Sequence, residues 1–518
     1  MLDLIIKYGL LFAFFGVMLF VGFYCRRHAT NVNDFVLGGR SVGPWLTAFA
    51  YGTSYFSAVV FVGYAGQFGW KYGIAATWAG VGNAILGSLL AWLVLGRRTR
   101  IMTQHLGSAT MPQFFDQRFQ SKGLKIAASA IIFIFLIPYT ASLYNGLSRL
   151  FGMAFRVDYS ICVLVMAVLT CIYVIAGGYM ATAINDFIQG LIMLGGIVAV
   201  IVAILHSKGG LTTAIESLRA VSDPMVADGK AGVFASLFGP DPLGLLGVVI
   251  LTSLGTWGLP QMVQKFYAIK DEQAIVKGTV ISTLFALVVA GGCYFLGGFG
   301  RLFADKIDLA AGGYDSIIPS MLEGLPVVLI AIVVILVLSA SMSTLSSLVL
   351  TSSSTLTLDF LADGLKIKLS ERRKMLTMRS LIVVFIAISA GIAILQYKSG
   401  ITFIAQLMGI SWGTLAGAFL APFLYGLYWK RTTKTACFVC FAFSAGFMLA
   451  NIFFGKYFPA WLASPINAGA FCMLAGLILV PLVSLLTKPP HAQQIQHIFS
   501  CFAKEKTTDH STSEECIL

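Results

Sequence analysis

The sequence predicts an all-α polytopic membrane protein of about 13 transmembrane helices. Three observations carry that prediction. Of the 518 residues, 58% are hydrophobic and 11% are charged, whereas a soluble globular chain carries about 25% charged residues. Apolar segments of about 20 residues, enough to cross a bilayer, recur along nearly the whole chain. The basic residues collect in alternate connections between those segments, as cytoplasmic loops of membrane proteins require.

The expected spans are 4–25, 43–68, 73–96, 124–151, 157–176, 180–206, 242–266, 276–301, 324–360, 378–397, 400–427, 434–454 and 464–487. The first apolar segment, Leu10 to Tyr24, has no small-residue cleavage site and reads as a retained span. One set of alternate loops holds 24 of the 35 basic residues, including Arg26, Arg40, Arg118, Lys125, Lys265, Lys270, Lys366 and Lys430. That side is expected to be cytoplasmic, with the N-terminus outside and the C-terminus inside. The net charge of +13 is therefore a matter of topology and does not call for a nucleic-acid partner. Residues 1–487 form one transmembrane domain, and 488–518 read as a polar, structureless cytoplasmic tail. An outer loop near 207–241 has room for short helices.

The ninth span is unusual. Its apolar run LPVVLIAIVVILVL ends in SASMSTLSSLVLTSSSTLT, Ser339 to Thr357. Ser343, Ser346 and Ser347 lie at i, i+3 and i+4, so a helix stacks them on one face. Ser339 lies one turn earlier and Thr344 beside them. Such hydroxyls can bond back to their own helix. They can also present oxygens to a hard cation such as sodium, whose hydration shell neutral hydroxyls and carbonyls can replace.

Two spans carry breaking residues in their interiors. The second contains Gly52-Thr53-Ser54, and the seventh contains Gly255-Thr256-Trp257-Gly258-Leu259-Pro260. Gly and Pro free backbone groups that, within a membrane, must face a cavity or a ligand. Interrupted helices in corresponding positions of two halves are the mark of a secondary transporter with inverted repeats and a midplane site. The sixth span carries Asp186, and a carboxylate there is costly unless paired or hydrated. It reads either as a cation or proton site or as an interfacial carboxylate reaching cytoplasmic water. Cys437 and Cys440 form a CxxC within an apolar segment with no further ligands nearby, which reads as helix packing. HExxH, GxSxG and P-loop patterns are absent, so an enzyme or built-in ATPase is not expected.

The chain resembles the sodium/solute symporter family, whose members carry proline, pantothenate, sialic acid, sugars and iodide. The likeness rests on LGGRSVGPW at 37–45, GG…A…ND..QG from Gly177 to Gly190, and Ala-x-Met-Ser-Thr-Leu-Ser at 340–346. In detail it is most similar to the proline and pantothenate branches, and the segments 52–73 and 258–271 resemble pantothenate permeases in particular. The resemblance implies a LeuT-type core of five-plus-five inverted repeats, near 43–206 and 242–427, with one extra N-terminal and two extra C-terminal helices. It implies a first sodium site formed by backbone oxygens of Thr53 and Phe56, the carbonyl of Ala340 and the hydroxyls of Ser343 and Thr344. A second site used by some members maps to Asp186 with Ser343, Ser346 and Ser347, so one or two sodium ions are expected. Tyr55 stands where proline transporters of the family have an Asp, while Ser57 is kept. No acidic and basic pair of the kind some sugar carriers use is visible in the spans.

The solute pocket is expected at the two breaks, lined by Ser54, Ser57, Phe61, Tyr139, Ser142, Asn145, Ser253, Thr256, Trp257 and Gln406. With no fixed charge in that set, an anionic carboxylate would be held by free N–H groups at a half-helix N-terminus. A small monocarboxylate or zwitterion suits such a pocket. The expected activity is sodium-coupled import of such a solute across the plasma membrane, and a single copy is enough. A proton-coupled carrier using Asp186, or a non-transporting sensor or channel, are the competing readings.

Overall fold

The structure, a computed structural model, describes residues 2–26, 31–155, 157–222, 231–309, 313–398 and 404–502. Nearly all of it is helical. The long helices and half-helices are α1 Leu2–Cys25, α2 Pro44–Tyr55, α3 Val59–His105, α4 Lys122–Phe155, α5 Tyr159–Ser207, α6 Pro242–Gly258 and α7 Pro260–Ala268. They continue with α8 Glu272–Gly297, α9 Val327–Gly364, α10 Glu371–Lys398, α11 Ile404–Tyr428, α12 Lys434–Phe454, α13 Pro465–Leu486 and α14 Ala492–Phe499. Among the described residues, ten helices are long and apolar enough to cross a membrane, and an eleventh span results if the bent pair α6 and α7 is one. This is a multi-pass α-helical membrane protein.

Two of the helical runs are far longer than a bilayer needs. The α5 run has 49 residues, about 74 Å at 1.5 Å per residue against a hydrocarbon core of about 30 Å. It is interrupted at Gly178, whose φ is 56° and ψ −148°. A Cβ at Gly178 would lie 2.7 Å from the Phe35 ring, so this position requires glycine for both conformation and space. The α3 run is interrupted similarly at Gly73, with φ 63°. The loop near 207–241 carries the short helices Leu211–Arg219 and Val233–Ala235.

The serine-rich α9 lies at the centre. It packs against α5, α4, α1, α10 and α2, and every residue from Leu336 to Thr355 is buried. A helix buried all round keeps hydroxyls out of lipid and free to face neighbouring helices.

Two expectations need correction. Residues 492–502 are helical rather than structureless: α14 and the turn Ser500–Phe502 dock on the molecule. Ile495, Ile498, Phe499 and Phe502 recur at helical spacing, a short apolar stripe within a polar segment. Phe499 lies 5.1 Å from the Arg118 guanidinium, Phe502 lies 4.7 Å from that of Arg98, and Gln494 Nε2 donates to Arg118 O at 3.1 Å. The end of the tail, 503–518, lies outside the described residues. Secondly, Arg118 and Lys265 are buried, not loop surface. Arg118 donates to Gly426 O at 2.8 Å and Trp429 O at 3.1 Å. Its burial in the connecting segment lowers its pKa to about 10. The CxxC pair is buried in packing, with Cys440 Sγ 3.4 Å from Gly417 O.

Gly178→Ala would place a side chain in a positive-φ conformation that is essentially confined to glycine, at a cost of about 1–3 kcal/mol, before any clash with Phe35. We expect it to lower the Tm of the detergent-purified protein. Gly195→Ala, with open space at the Cβ position, is expected to leave the Tm unchanged or raise it. Equal Tm values for wild type and Gly178→Ala would contradict the break.

Candidate functional site

The first interruption falls one turn later than the Gly52-Thr53-Ser54 expected from sequence. α2 continues through Tyr55 and stops at Phe56, which is extended with φ −85° and ψ 121°. Thr53 Oγ1 and Ser54 Oγ bond back to the carbonyls of Phe49 and Ala50, which fits a continuing helix. Gly52 serves close packing instead, because a Cβ there would lie 2.4 Å from the Phe285 ring. After Phe56, the Ser57 hydroxyl accepts from Val59 N at 3.2 Å and caps the next half-helix. That helix opens as a π-helix over Val59–Tyr64.

Extended backbone at Phe56 turns the following N–H groups away from the carbonyls of the last helical turn, which then need other partners. The hydroxyls of α9 supply them. Thr344 Oγ1 lies 3.1 Å from Thr53 O, 3.3 Å from Phe56 O and 3.0 Å from Ala340 O. Ser343 Oγ lies 3.2 Å from Thr53 O and 3.0 Å from Ala340 O. Thus three carbonyls and two hydroxyls from two helices meet at one buried point. A hydroxyl there can donate to a carbonyl or turn its lone pairs outward, so the cluster can close on itself or present five oxygens to a hard cation.

Asp186 is fully buried, and here the structure departs from the sequence reading. Lys265, on α7, is 2% exposed. Its Nζ lies 3.9 Å from Asp186 Oδ2 and donates to Ser347 Oγ at 3.0 Å. An acidic and basic pair is therefore present within the spans. Sequence spacing hides it because 79 positions separate Asp186 from Lys265. Ser347 Oγ is also 3.0 Å from Ser54 Oγ. Ser346 Oγ donates to Ser343 O at 2.9 Å.

The second interruption falls at Leu259, with φ −76° and ψ 122° between α6 and α7, which are bent by 45°. Ser253, Thr256 and Trp257 all turn toward α3. Ser253 Oγ lies 3.3 Å from Asn83 Oδ1, Thr256 Oγ1 donates to Gly87 O at 2.8 Å, and Trp257 Nε1 donates to Leu86 O at 2.8 Å. Ser142 Oγ donates to Tyr139 O at 2.6 Å. Asn145 is held by Tyr159 and Gln396. Gln406 is exposed and does not join the buried set. It is only the third residue of α11, at the helix end.

Tyr139 and Phe61 are fully buried. The Tyr139 hydroxyl lies beside Ser57 and Trp412, with the Tyr139 and Trp412 rings edge to face at 5.9 Å. Among the described residues, the Tyr139 hydroxyl, Trp412 Nε1–H and both amide atoms of Gln261 find no well-aligned hydrogen-bond partner. Each such group costs about 1–3 kcal/mol when buried alone. Sequence reasoning missed Trp412 and Gln261. Gln261 follows the second break by two residues, and Gly255 lies against the Trp412 ring at the same break.

The two broken helices also meet at one end of the molecule. Val42 pairs with the end of α7: its N–H donates to Ala268 O at 3.2 Å and its carbonyl accepts from Lys270 N at 3.0 Å. The start of α2 thus adjoins the end of α7. Arg40, with φ 56°, donates to Ser108 O at 2.5 Å and Tyr267 O at 3.3 Å. Thr351 Oγ1 donates to Gln264 Oε1 at 2.8 Å, Gln264 Nε2 donates to Val36 O at 3.1 Å, and Thr110 Oγ1 donates to Asp359 Oδ2 at 2.6 Å. These contacts join the two broken helices and their neighbours at that end.

This geometry can be set beside known proteins. The chain is 29% identical over 494 residues to the osmoregulated proline transporter OpuE of Bacillus subtilis, covering 94% of this chain and 96% of the relative. It is 30% identical over 435 residues to sodium/proline symporter 2 of Staphylococcus saprophyticus, covering 83% and 82%. It is 30% identical over 438 residues to the sodium/proline symporter of Staphylococcus aureus, covering 82% of each. Among solved structures, a substrate-bound, outward-open Na+-coupled sialic acid symporter matches with TM-score 0.69 at 19% identity, covering 93% of this chain and 98% of that one. Mhp1, a nucleobase-cation-symport-1 family transporter, matches with TM-score 0.51 at 12% identity, covering 89% and 97%. These two likenesses concern the fold, which is LeuT-like. The pattern of the Sodium:solute symporter family matches residues 35–443, most of the chain, and the chain belongs to that family of transporters.

Proposed function

We propose that this chain is a sodium-coupled secondary transporter that imports a small zwitterionic, amino-acid-like solute by alternating access. One observation carries the reading: five oxygens of Thr53, Phe56, Ala340, Ser343 and Thr344 converge where the broken α2 crosses α9. In this reading they are the sodium ligands. Neutral oxygens suit sodium and allow release, which a cycle needs. The names of the relatives support proline or a proline-like solute. Tyr55 in place of an acidic residue keeps a pantothenate-like monocarboxylate in competition.

In the finer architecture we infer 13 spans, because the runs α3 and α5 each divide at a positive-φ glycine, Gly73 and Gly178. Two inverted five-helix repeats, near 43–206 and 242–427, follow from the same count. The pairing of Val42 with Ala268 and Lys270 supports them, since this parallel bridge brings the start of the first broken helix to the end of the second. By the distribution of basic residues, the tied end faces the cytoplasm, the N-terminus lies outside, and the protein resides in the plasma membrane.

Sodium would join α2 to α9 and so favour the state in which the two helices are held together. It can shift the equilibrium only by its difference in affinity between states. The solute would then complete the pocket at Tyr139, Trp412, Ser57 and Gln261, and the ties of Arg40, Gln264 and Thr351 would open in turn. The membrane potential adds about 2.3 kcal/mol per charge per 100 mV.

Proteoliposomes with an imposed sodium gradient are expected to accumulate labelled proline or, failing that, pantothenate. Replacing sodium by choline at fixed pH is expected to abolish uptake, and unchanged uptake would sink the sodium reading. Thr344→Ala and Ser343→Ala should each raise the sodium concentration for half-maximal uptake by about 10-fold, or about 1.4 kcal/mol. Wild-type sodium dependence in both would leave the hydroxyls as helix packing. Tyr139→Phe and Trp412→Phe should raise the half-saturating solute concentration by about 10-fold, as expected when a hydrogen bond worth about 1–1.5 kcal/mol is removed, with little change in sodium dependence. An unchanged solute dependence would remove these two residues from the pocket.

A further inference from the structure

The neighbourhood of Asp186 does not fit a second sodium ion, and the reason is a side chain of this chain. Lys265 Nζ lies 3.0 Å from Ser347 Oγ and 3.9 Å from Asp186 Oδ2. It also sits 5.1 Å from the centre of the Tyr179 ring, the approach of a cation to an aromatic face. Both charged side chains are buried, at 3% exposure for Lys265 and none for Asp186. The lysine also reaches one of the serines that such a site would use. Ser347 accepts from the lysine, Ser346 bonds back to Ser343 O, and Ser343 Oγ belongs to the cluster with Thr53 and Ala340. A sodium ion placed among them would meet one cation already facing the one carboxylate.

We propose that Lys265 is a tethered cation: its ammonium takes the place at Asp186 that a second sodium ion would fill, so this chain binds a single exchangeable sodium. The inference rests on the sodium-coupled reading above and narrows its stoichiometry. The pieces come from three elements, since Asp186 is on α5, Lys265 on α7 and Ser347 on α9. A charge fixed to the half-helix α7 joins these elements with or without sodium in solution. Only the crossing of α2 and α9 then responds to the ion. An ammonium also needs no dehydration or release at each turnover, unlike a bound ion.

The test is equilibrium binding of radioactive sodium to the purified chain in detergent, without solute, at constant ionic strength in choline. Wild type is expected to bind one sodium per chain, without cooperativity. Thr344→Ala should weaken that binding by about 10-fold or more, the scale on which metal-site contacts act. Lys265→Met leaves the carboxylate uncompensated and is expected to bind two, and adding Asp186→Asn should return the count to one. Two sodium ions in wild type, falling to one in Asp186→Asn with Lys265 intact, would overturn the proposal. One sodium in a folded Lys265→Met variant would overturn it as well. If Lys265→Met does not fold, the wild-type count decides together with Asp186→Asn. No sodium bound to wild type would instead overturn the proposed function itself.

Discussion

The structure depends on the crossing of a broken helix with a hydroxyl-bearing one. Inside a bilayer every backbone carbonyl needs a partner within the protein, and each failure costs several kcal/mol. The chain breaks α2 at Phe56 and thereby loosens the carbonyls of Thr53 and Phe56. It then brings Ser343 and Thr344 to them at 3.1–3.3 Å. The interruption draws partners from α9, and Ser343 and Thr344 reach across to it as well as to Ala340 O of their own helix. That shared bonding accompanies the burial of α9 along its serine-rich length. It also leaves a site whose oxygens have two ways of being satisfied, by each other or by an ion.

Around this crossing, the polar groups on either side of the second break hold different neighbours. The second break at Leu259 is anchored through Thr256 and Trp257 to α3, which fixes α6. Beyond the break, α7 carries Lys265 and Gln264, each bonded to a hydroxyl of α9, Ser347 and Thr351 respectively. At its far end α7 is held by Val42 and Arg40. α7 is also buried along its whole length, packed against α2, α3 and α9. The anchors on α3 and the ties to α9 therefore lie on opposite sides of the same break.

Much of this was legible in the sequence. Apolar segments of transmembrane length announce the helices, and the i, i+3, i+4 spacing of Ser343, Ser346 and Ser347 marks a hydroxyl face. Glycine and proline near 52 and 258 locate the interruptions to within about a turn. The misses have physical causes. Glycine does not say whether it breaks a helix or admits a neighbour's ring: Gly52 admits Phe285, while Phe56 makes the break. Lys265 follows a hydrophobic span like any loop lysine, and only the tertiary fold shows that it turns inward to Asp186. Trp412 and Gln261 are recognisable only by the unanswered N–H and amide groups that their burial creates. Ser253 and Thr256 look like pocket lining but spend their hydroxyls on α3. The docking of α14 rests on a handful of apolar residues too sparse to stand out from a polar tail.

The central claim is that sodium acts at the crossing of α2 and α9. Hydrogen exchange measures it most directly, since slowed exchange reports local backbone closure. Amides of residues 53–60 and 340–347 would be followed in sodium and in choline at equal ionic strength. Slower exchange in sodium is expected across both segments, with the difference lost in Thr344→Ala. The same exchange in sodium and choline would contradict it.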